Sequence, residues 1–217
     1  MEYQKPVISD EEGAALKEEF EGIFKELIIP AFTGADMLLT WIENSDFFVC
    51  PASTQYHLSC KYGLLKHSLN VYKRLLKSIQ IEYGDKYEEE LGVDKSELAL
   101  IGLCHDLCKV NTYIVETRNV KNKFGEWVKE PYYKYSPDFE YGHGEKSVMI
   151  IQNFIHGLSL NVCLGIRYHM GAAGDSTSPL KDSNALKAME EFNVVYWTHF
   201  ADMAATYLDE RREPKEE

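Results

Sequence analysis

The sequence predicts an all-α fold that carries a single β-hairpin insertion. Apolar residues recur at helical spacing through most of the chain, whereas residues 111–141 are rich in β-branched and aromatic residues on either side of the string KNKFG. The chain has 217 residues, of which 45% are hydrophobic and 27% are charged, as is typical of one soluble globular domain. We therefore expect a single domain over residues 1–217, with N-terminal helices in 1–46, a helical core in 47–209 and the hairpin in 111–141.

Capping residues and apolar spacing predict the individual helices. The first helix runs from Ser9 to Ile29, because an acidic first turn follows Ser9 and Pro30 ends the pattern. A second helix is predicted over Ala35 to Asn44, and Phe47 to Gly63 has no period and predicts an ordered loop. Further helices are predicted from Leu64 to Ile79, from Lys95 to Leu107, in HGEKSVMIIQNFI, in LNVCLGIRYHM, from Asn184 to Glu191 and from Asn193 to Arg211. We expect the string GAAGDSTSP to form a loop and the tail REPKEE to be frayed.

Composition and charge narrow the classes of function. No apolar run approaches the roughly 18 residues that cross a membrane, and the acidic, polar N-terminus does not resemble a signal peptide. A cytoplasmic location is the default expectation. The formal net charge of −12 repels phosphate backbones and argues against a large nucleic-acid partner. A small anionic substrate stays compatible with this charge, because a bound dication reverses the local sign.

The five cysteines form an odd-numbered set without a compact framework, which argues against a disulfide scaffold. Cys104 and Cys108 lie four residues apart on either side of His105 and Asp106. They are either zinc ligands or core residues. The apolar stripe that contains Cys104 favours core packing.

The dipeptide His105-Asp106 ends the apolar string ALIGLC, and it is the first candidate for chemistry. Imidazole nitrogen and carboxylate oxygen together suit a divalent transition metal. A carboxylate at the end of a buried helix is costly unless it is paired or bound to a metal. Histidines at other helix ends could complete such a site; they are His67, His143 and His169.

Asp202 lies in YWTHFADMAATYL, an almost entirely apolar helix without an adjacent Lys or Arg. A buried aspartate in this setting needs a cation or a hydrogen-bond network. It is either a metal ligand or the ion-pair partner of a distant arginine, such as Arg167 or Arg74.

The order His67, His105-Asp106, Asp202 resembles the HD-domain superfamily of metal-dependent phosphohydrolases. The resemblance covers roughly Phe47 to Asp209 and is closest to the HD domain of bacterial 3′-to-5′ exoribonuclease-type proteins. It rests on the string PASTQYHLSCKYGLLKHSLNV before and around the first histidine, and on HDLCK, YGHGEKS and RYHMG. It implies an HD-domain helical bundle that binds one or two divalent ions per chain, from the group Fe, Mn, Zn, Ni and Mg.

Residue roles follow from this resemblance position by position. His67, His105, Asp106 and Asp202 would bind the first ion, and Asp106 would bridge to a second ion held by His143 and His169. Lys109 would contact the substrate phosphate and act with Asp106 in catalysis, and His57 would line the cleft. Independently of the resemblance, Arg118, Lys121 and Lys123 on the predicted hairpin would either close over an anionic substrate or form a solvated charged ribbon.

Three positions depart from the family pattern. Cys108 and Tyr62 stand where these relatives have glycine, and Met170 stands where they have the second of two adjacent histidines. The exchange at Met170 bears on whether a second metal is bound. Nothing before Phe47 predicts the short strands of the nucleic-acid-binding barrel that the exoribonucleases carry.

The leading hypothesis from the sequence is a metal-dependent phosphohydrolase that acts on a nucleotide or another small phosphate ester. A diiron oxygenase of the same fold is an alternative, because the same ligands can hold two irons. A non-catalytic module that binds a metal and a nucleotide is a second alternative. The sequence does not predict an oligomeric state.

Overall fold

The computed structural model is a bundle of α-helices with one two-stranded sheet, and it describes residue 4, residues 6–171 and residues 184–211. The α-helices of these residues are α1 (Asp10–Ile23), α2 (Ala35–Glu43), α3 (Gly63–Tyr83), α4 (Tyr87–Leu91), α5 (Lys95–Cys104), α6 (His143–Gln152), α7 (Leu160–Arg167), α8 (Ala185–Glu191) and α9 (Asn193–Ala204). The strands are β1 (Tyr113–Lys121) and β2 (Trp127–Tyr135). This architecture confirms the all-α fold with one hairpin. Across the described ranges, we find no helix with the length and apolar character needed to span a membrane.

Several helix ends differ from the sequence-based bounds. Helix α5 ends at Cys104, so that His105 is its C-cap and Asp106 lies in the turn that follows, before a 3₁₀ turn at Leu107–Lys109. Helix α7 ends at Arg167, three residues before the predicted end at Met170. The short helix α4 was not predicted, and π-helical turns at Phe24–Ile28 and Ala205–Asp209 extend α1 and α9. The predicted loop GAAGDSTSP, apart from Gly171, and the tail REPKEE lie outside the described residues.

The hairpin is antiparallel, and its register pairs Tyr113 with Tyr135 and Val115 with Tyr133. The side chain of Asn122 shapes the turn, because its Oδ1 accepts hydrogen bonds from the backbone N–H groups of Phe124 (2.9 Å) and Glu126 (3.0 Å). Gly125 follows at a φ of 82°, a left-handed conformation that favours glycine. The glycine-containing turn predicted from KNKFG is confirmed.

The N-terminal helices share the hydrophobic core of the rest of the chain. Phe20 and Phe24 are fully buried, and the ring of Phe20 lies 5.0 Å from that of Phe47 in the loop before α3. Ser9 caps α1 by accepting a hydrogen bond from the N–H of Glu12 (3.1 Å). Residues 10–43 therefore pack directly on the region that holds the candidate site.

Tyr62 adopts a left-handed backbone conformation with a φ of 66°, just before α3 begins. This conformation favours glycine, since a side chain is strained there. The Tyr62 hydroxyl donates a hydrogen bond to Asp10 (2.8 Å), and Lys61 pairs with the same carboxylate (2.7 Å). These contacts join the start of α1 to the loop before α3 and offset the strain.

Shared capping residues join the N-termini of α5 and α7. Asp94 caps α5, and Glu97 completes a capping box by accepting a hydrogen bond from the N–H of Asp94. Ser159 caps α7, and its hydroxyl donates to Glu97 at 2.6 Å. Both helices therefore start at one place and run towards the same end of the bundle.

Close contact of α3 and α5 at Gly102 brings their histidines together. A Cβ added at Gly102 would lie 2.6 Å from the Cα atom of Tyr72, so only glycine permits this approach. His67 lies five residues before Tyr72, and His105 lies three residues after Gly102. The short interhelical distance places the Nε2 atoms of the two histidines 3.3 Å apart.

We predict that Gly102→Ala destabilises the protein by about 1–3 kcal/mol, because the new methyl group forces α3 and α5 apart. Intrinsic helix propensity alone would favour alanine by about 1 kcal/mol, so a loss of stability isolates the packing effect. Urea unfolding measures the free energy, and Gly22→Ala is the control because open space surrounds Gly22. A Gly102→Ala protein as stable as Gly22→Ala would show that α3 and α5 do not depend on this contact.

Candidate metal centre

Five side chains of ligand type converge at one end of the bundle, and each comes from a helix or a turn next to a helix. His67 lies in the second turn of α3, His105 and Asp106 follow α5, His169 lies in the turn after α7, and Asp202 lies in the last turn of α9. His67, His105, Asp106 and His169 are at most 3% exposed, and Asp202 is largely buried. The structure thus brings together residues that are up to 135 positions apart in the sequence.

The three buried histidines present the same ring nitrogen to the centre. The Nδ1 atom of His105 donates to the carbonyl oxygen of Gly102 (2.9 Å), and that of His169 donates to the carbonyl oxygen of Ile166 (2.7 Å). A carbonyl oxygen only accepts, so these bonds leave a lone pair on each Nε2. An acceptor that binds the Nδ1 hydrogen holds a metal-binding histidine in one orientation.

The ligand atoms have the spacing of atoms around an ion. Two atoms that each lie about 2.1 Å from one ion at a tetrahedral angle are about 3.4 Å apart. His67 Nε2 lies 3.2 Å from Asp202 Oδ1 and 3.3 Å from His105 Nε2. Asp106 Oδ2 lies 3.4 Å from His105 Nε2 and 3.6 Å from His67 Nε2.

The two oxygens of Asp106 face different groups. While Oδ2 faces His67 and His105, Oδ1 lies 3.5 Å from His169 Nε2. Two sets of three residues that share His105 have ligand atoms within 4.8 Å of one another, namely His67 with His105 and Asp202, and His105 with Asp106 and His169; a third set of this kind is His57 with His67 and Glu210. This arrangement suits a carboxylate that bridges two neighbouring cation positions.

The buried Nε2 atom of His169 indicates whether the residues of this cluster can hold a cation. His169 Nε2 is fully buried and has no hydrogen-bond partner, although its orientation is fixed through Nδ1. An unsatisfied buried polar atom costs free energy, and an acceptor among carboxylates is satisfied by a cation. The described residues therefore fit a divalent metal ion held by imidazole and carboxylate.

The charges of the centre are coupled. Burial lowers the pKa of His67, but Glu210 and Asp202 outweigh this effect and raise the pKa to about 10. Burial raises the pKa of Asp202, yet the contact with His67 brings it below the usual range of a carboxyl. Without a metal, a proton on His67 thus compensates buried carboxylates, and a metal ion would replace that proton.

Glu210 is a functional candidate that the sequence analysis missed. Its side chain is fully buried, and both of its oxygens lie 3.1 Å from His67 Nδ1, while Asn70 donates to Oε1 at 2.9 Å. A carboxylate behind a ligating imidazole fixes the ring and increases its basicity. Glu210 lies in the string DERREPKEE, which resembles a charged tail and gives no signal for this role. Asn70, by contrast, lies three residues after His67 on the same helix face, and its role could have been found from this spacing.

The structure does not place His143 in any of these sets of three residues. His143 begins α6, and its Nδ1 lies 3.3 Å from the sulfur of Cys108. Helix α6 reaches this position because Gly144 lies against the backbone of Arg167, where a Cβ would be 2.2 Å from the carbonyl oxygen. The predicted role of His143 as a ligand of a second ion stays a prediction.

The residues predicted to contact substrate lie in three different environments. The Lys109 ammonium is 2.6 Å from Asp106 Oδ2, and although burial lowers its pKa, this contact raises the net value. His57 Nε2 is buried without a hydrogen-bond partner, 4.0 Å from Glu210, and burial lowers the pKa of His57 to about 4. Arg118 lies on β1, 3.2 Å from Glu130.

Among the residues that the structure describes, Asp202 contacts His67 and no arginine. The two arginines considered as partners are engaged elsewhere, since Arg167 pairs with Glu145 (2.7 Å) and Arg74 pairs with Asp209. All five cysteines are free thiols, and Cys104 is fully buried in the core, as predicted from its apolar stripe.

The turn after α7 is held in place from α9. His199 Nδ1 donates to the carbonyl oxygen of His169 at 2.7 Å, and Gly171 follows with a φ of 70°. A Cβ at Gly171 would lie 2.5 Å from the ring of His199, so glycine is required there. The glycine in RYHMG thus positions His169.

A buried cluster of imidazoles and carboxylates at one end of a helical bundle defines a helical domain with a candidate metal site. The family model described as HD domain matches residues 64–211, more than half of the chain, and the chain belongs to the HD domain family. HD domains form a superfamily of the metal-dependent phosphohydrolase type. The match to the HD domain model confirms the resemblance to this superfamily that we inferred from the sequence. No curated protein and no solved structure matched the chain. The closer likeness to exoribonuclease-type proteins stays a prediction.

We predict that Glu210→Gln weakens Mn²⁺ binding about tenfold, because the amide keeps the shape of the side chain but removes the charge behind His67. Isothermal titration of metal-depleted protein with Mn²⁺ measures the affinity. Asp209→Asn is the matched control, since this neighbouring carboxylate pairs with Arg74 at the surface. Equal losses in the two variants would mean that the end of the helix, and not the orientation of His67, determines affinity.

Proposed function

We propose that the protein is a metal-dependent phosphohydrolase that acts on a nucleotide or another small phosphate ester. The observation that carries this proposal is the convergence of His67, His105, Asp106, His169 and Asp202 in an HD domain, with the Lys109 ammonium beside Asp106. A bound divalent ion supplies hydroxide at neutral pH by lowering the pKa of its water from about 15.7 towards about 7.

His67, His105, Asp106 and Asp202 would hold the first ion. Asp106 would bridge to a second ion that His169 and, from α6, His143 would hold. The support for a bridge is that Asp106 Oδ1 and Oδ2 face different histidines. The ion belongs to the group Fe, Mn, Zn, Ni and Mg.

Lys109 is the cation that we assign to the substrate phosphate. Its side chain is 14% exposed, and the contact with Asp106 keeps the ammonium protonated at neutral pH. A fixed ammonium stabilises the negative charge that develops on the non-bridging oxygens of a phosphate during hydrolysis.

His57 is suited to bind a substrate or a water through its neutral ring. Its pKa of about 4 keeps the imidazole uncharged at neutral pH, and its Nε2 has no hydrogen-bond partner. We therefore assign His57 to hydrogen bonding in the cleft and not to proton donation from an imidazolium.

The proposal is tested with Mn²⁺-loaded full-length protein and a panel of nucleotides, sugar phosphates and short oligonucleotides. We expect phosphate or nucleotide release that Asp106→Ala abolishes and Asp85→Ala leaves unchanged, since Asp85 is exposed beyond the far end of α3. Absence of turnover, or turnover that survives Asp106→Ala, overturns the proposal.

Metal content separates the alternatives that use the same ligands. Elemental analysis that finds iron, together with consumption of oxygen, would favour a diiron oxygenase. A metal-loaded protein that binds a nucleotide without any turnover would be a non-catalytic module.

We predict that Lys109→Met lowers kcat by about a hundredfold, because one fixed charge at the developing oxyanion is lost. Affinity for Mn²⁺ should stay the same or increase, since the competing ammonium leaves Asp106. Steady-state kinetics and Mn²⁺ titration measure the two effects. A parallel loss of metal would instead identify Lys109 as a residue that organises the ligands.

A further inference from the structure

A cavity of about 630 Å³ contains none of the residues assigned as metal ligands. Its walls are the β-hairpin, the loop before α3 and the N-terminal segment at Gln4 and Pro6. This volume is within the range of about 300–1,000 Å³ that is typical of small-molecule sites. The cavity is therefore large enough for an organic group that extends away from the phosphate.

One face of the hairpin connects the cavity to the metal centre. Val115, Tyr133 and Pro131 line the cavity, and their register places them on the same face as Tyr113 and Tyr135. The ring of Tyr135 lies 6.4 Å from the ring of His143. Successive residues on one face are about 6.8 Å apart along a strand, so Val115 and Tyr133 of the cavity lie one step along this face from Tyr113 and Tyr135.

The loop before α3 provides a second connection. Thr54 and Tyr56 line the cavity, whereas the next residue, His57, places its ring 4.8 Å from that of His67. The loop before α3 thus borders both the cavity and the surroundings of His67. The hydroxyl of Tyr113, 3.5 Å from the carbonyl oxygen of Ala52, joins this loop to the hairpin.

The lining of the cavity favours an uncharged planar group. Its lining residues include the aromatic residues Tyr56 and Tyr133 and the hydrogen-bonding residues Thr54, Gln55 and Ser59 of the loop. The charge of Arg118 is offset by Glu130 at 3.2 Å, so the cavity offers little to a second phosphate. Stacking on tyrosine accepts any heteroaromatic base, because every base has a π-face.

We propose that this cavity binds the base of a nucleoside phosphate whose phosphate group lies at the metal centre. The proposal rests on the phosphohydrolase function proposed above and narrows its substrate to nucleotides. In this arrangement, the hairpin insertion determines specificity, and the helical core performs the chemistry.

The test compares esters with and without a base. In Mn²⁺-loaded protein, Tyr133→Ala should raise KM for the preferred nucleoside monophosphate about tenfold or more, because stacking on the ring is lost. The rate with glycerol phosphate, which has no base, should not change. Trp127→Ala is the matched control, since Trp127 is an exposed aromatic residue of the same hairpin outside the cavity. Equal KM values for Tyr133→Ala and the unaltered protein overturn the proposal.

A second variant and a binding measurement keep the test independent of folding and turnover. Val115→Trp adds a ring at an exposed strand position that lines the cavity, and it should also raise KM only for nucleotides. Phosphate-free nucleosides should bind to the unaltered protein and to Asp106→Ala, and not to Tyr133→Ala. Nucleoside binding without any hydrolysis would support the cavity and refute the phosphohydrolase. Nucleotide hydrolysis without nucleoside binding would refute the cavity alone.

Discussion

The buried carboxylate of Asp106 is the constraint around which the centre is arranged. A carboxylate that leaves water needs compensation of several kcal/mol, and the part of α5 that precedes it, from Leu98 to Cys104, supplies only apolar side chains. Compensation comes from Lys109 three residues later, and from His105 and His169. The requirement for positive charge at this position explains why side chains from four helical regions end within a few ångströms of one another.

Glycine residues allow the helices to pack closely enough for these side chains to converge. Gly102 lets α5 approach α3, Gly144 lets α6 approach the end of α7, and Gly171 leaves room for His199. Ser147 on α6 accepts a hydrogen bond from the N–H of Cys108, which fixes the turn that contains Asp106. The candidate metal centre therefore depends on contacts at Gly102, Gly144 and Gly171 that are closer than a larger residue would permit.

The sequence revealed the parts of the site whose signal is local. His105-Asp106 stands out because a charged dipeptide ends an apolar run, and Asp202 stands out because its helix has no other charge. Glu210 could not be recognised, because its burial depends on the path of the chain after α9 and its neighbours are charged. The end of α5 at Cys104 was also missed, since the apolar pattern continues into Leu107 while the backbone turns to direct His105 and Asp106 inward.

The departures from the family pattern affect the rim of the centre more than its interior. Met170 is 38% exposed, so the absence of a histidine there leaves the buried ligands intact. Cys108 lies deeper, between Asp106 and His143, and burial raises the pKa of its thiol to about 12. A neutral thiol beside Nδ1 of His143 adds no charge to the centre. The interior of the centre therefore retains the imidazoles and carboxylates that would hold the first ion. The exchanged residues, Cys108 and Met170, lie on the side on which a second ion would bind.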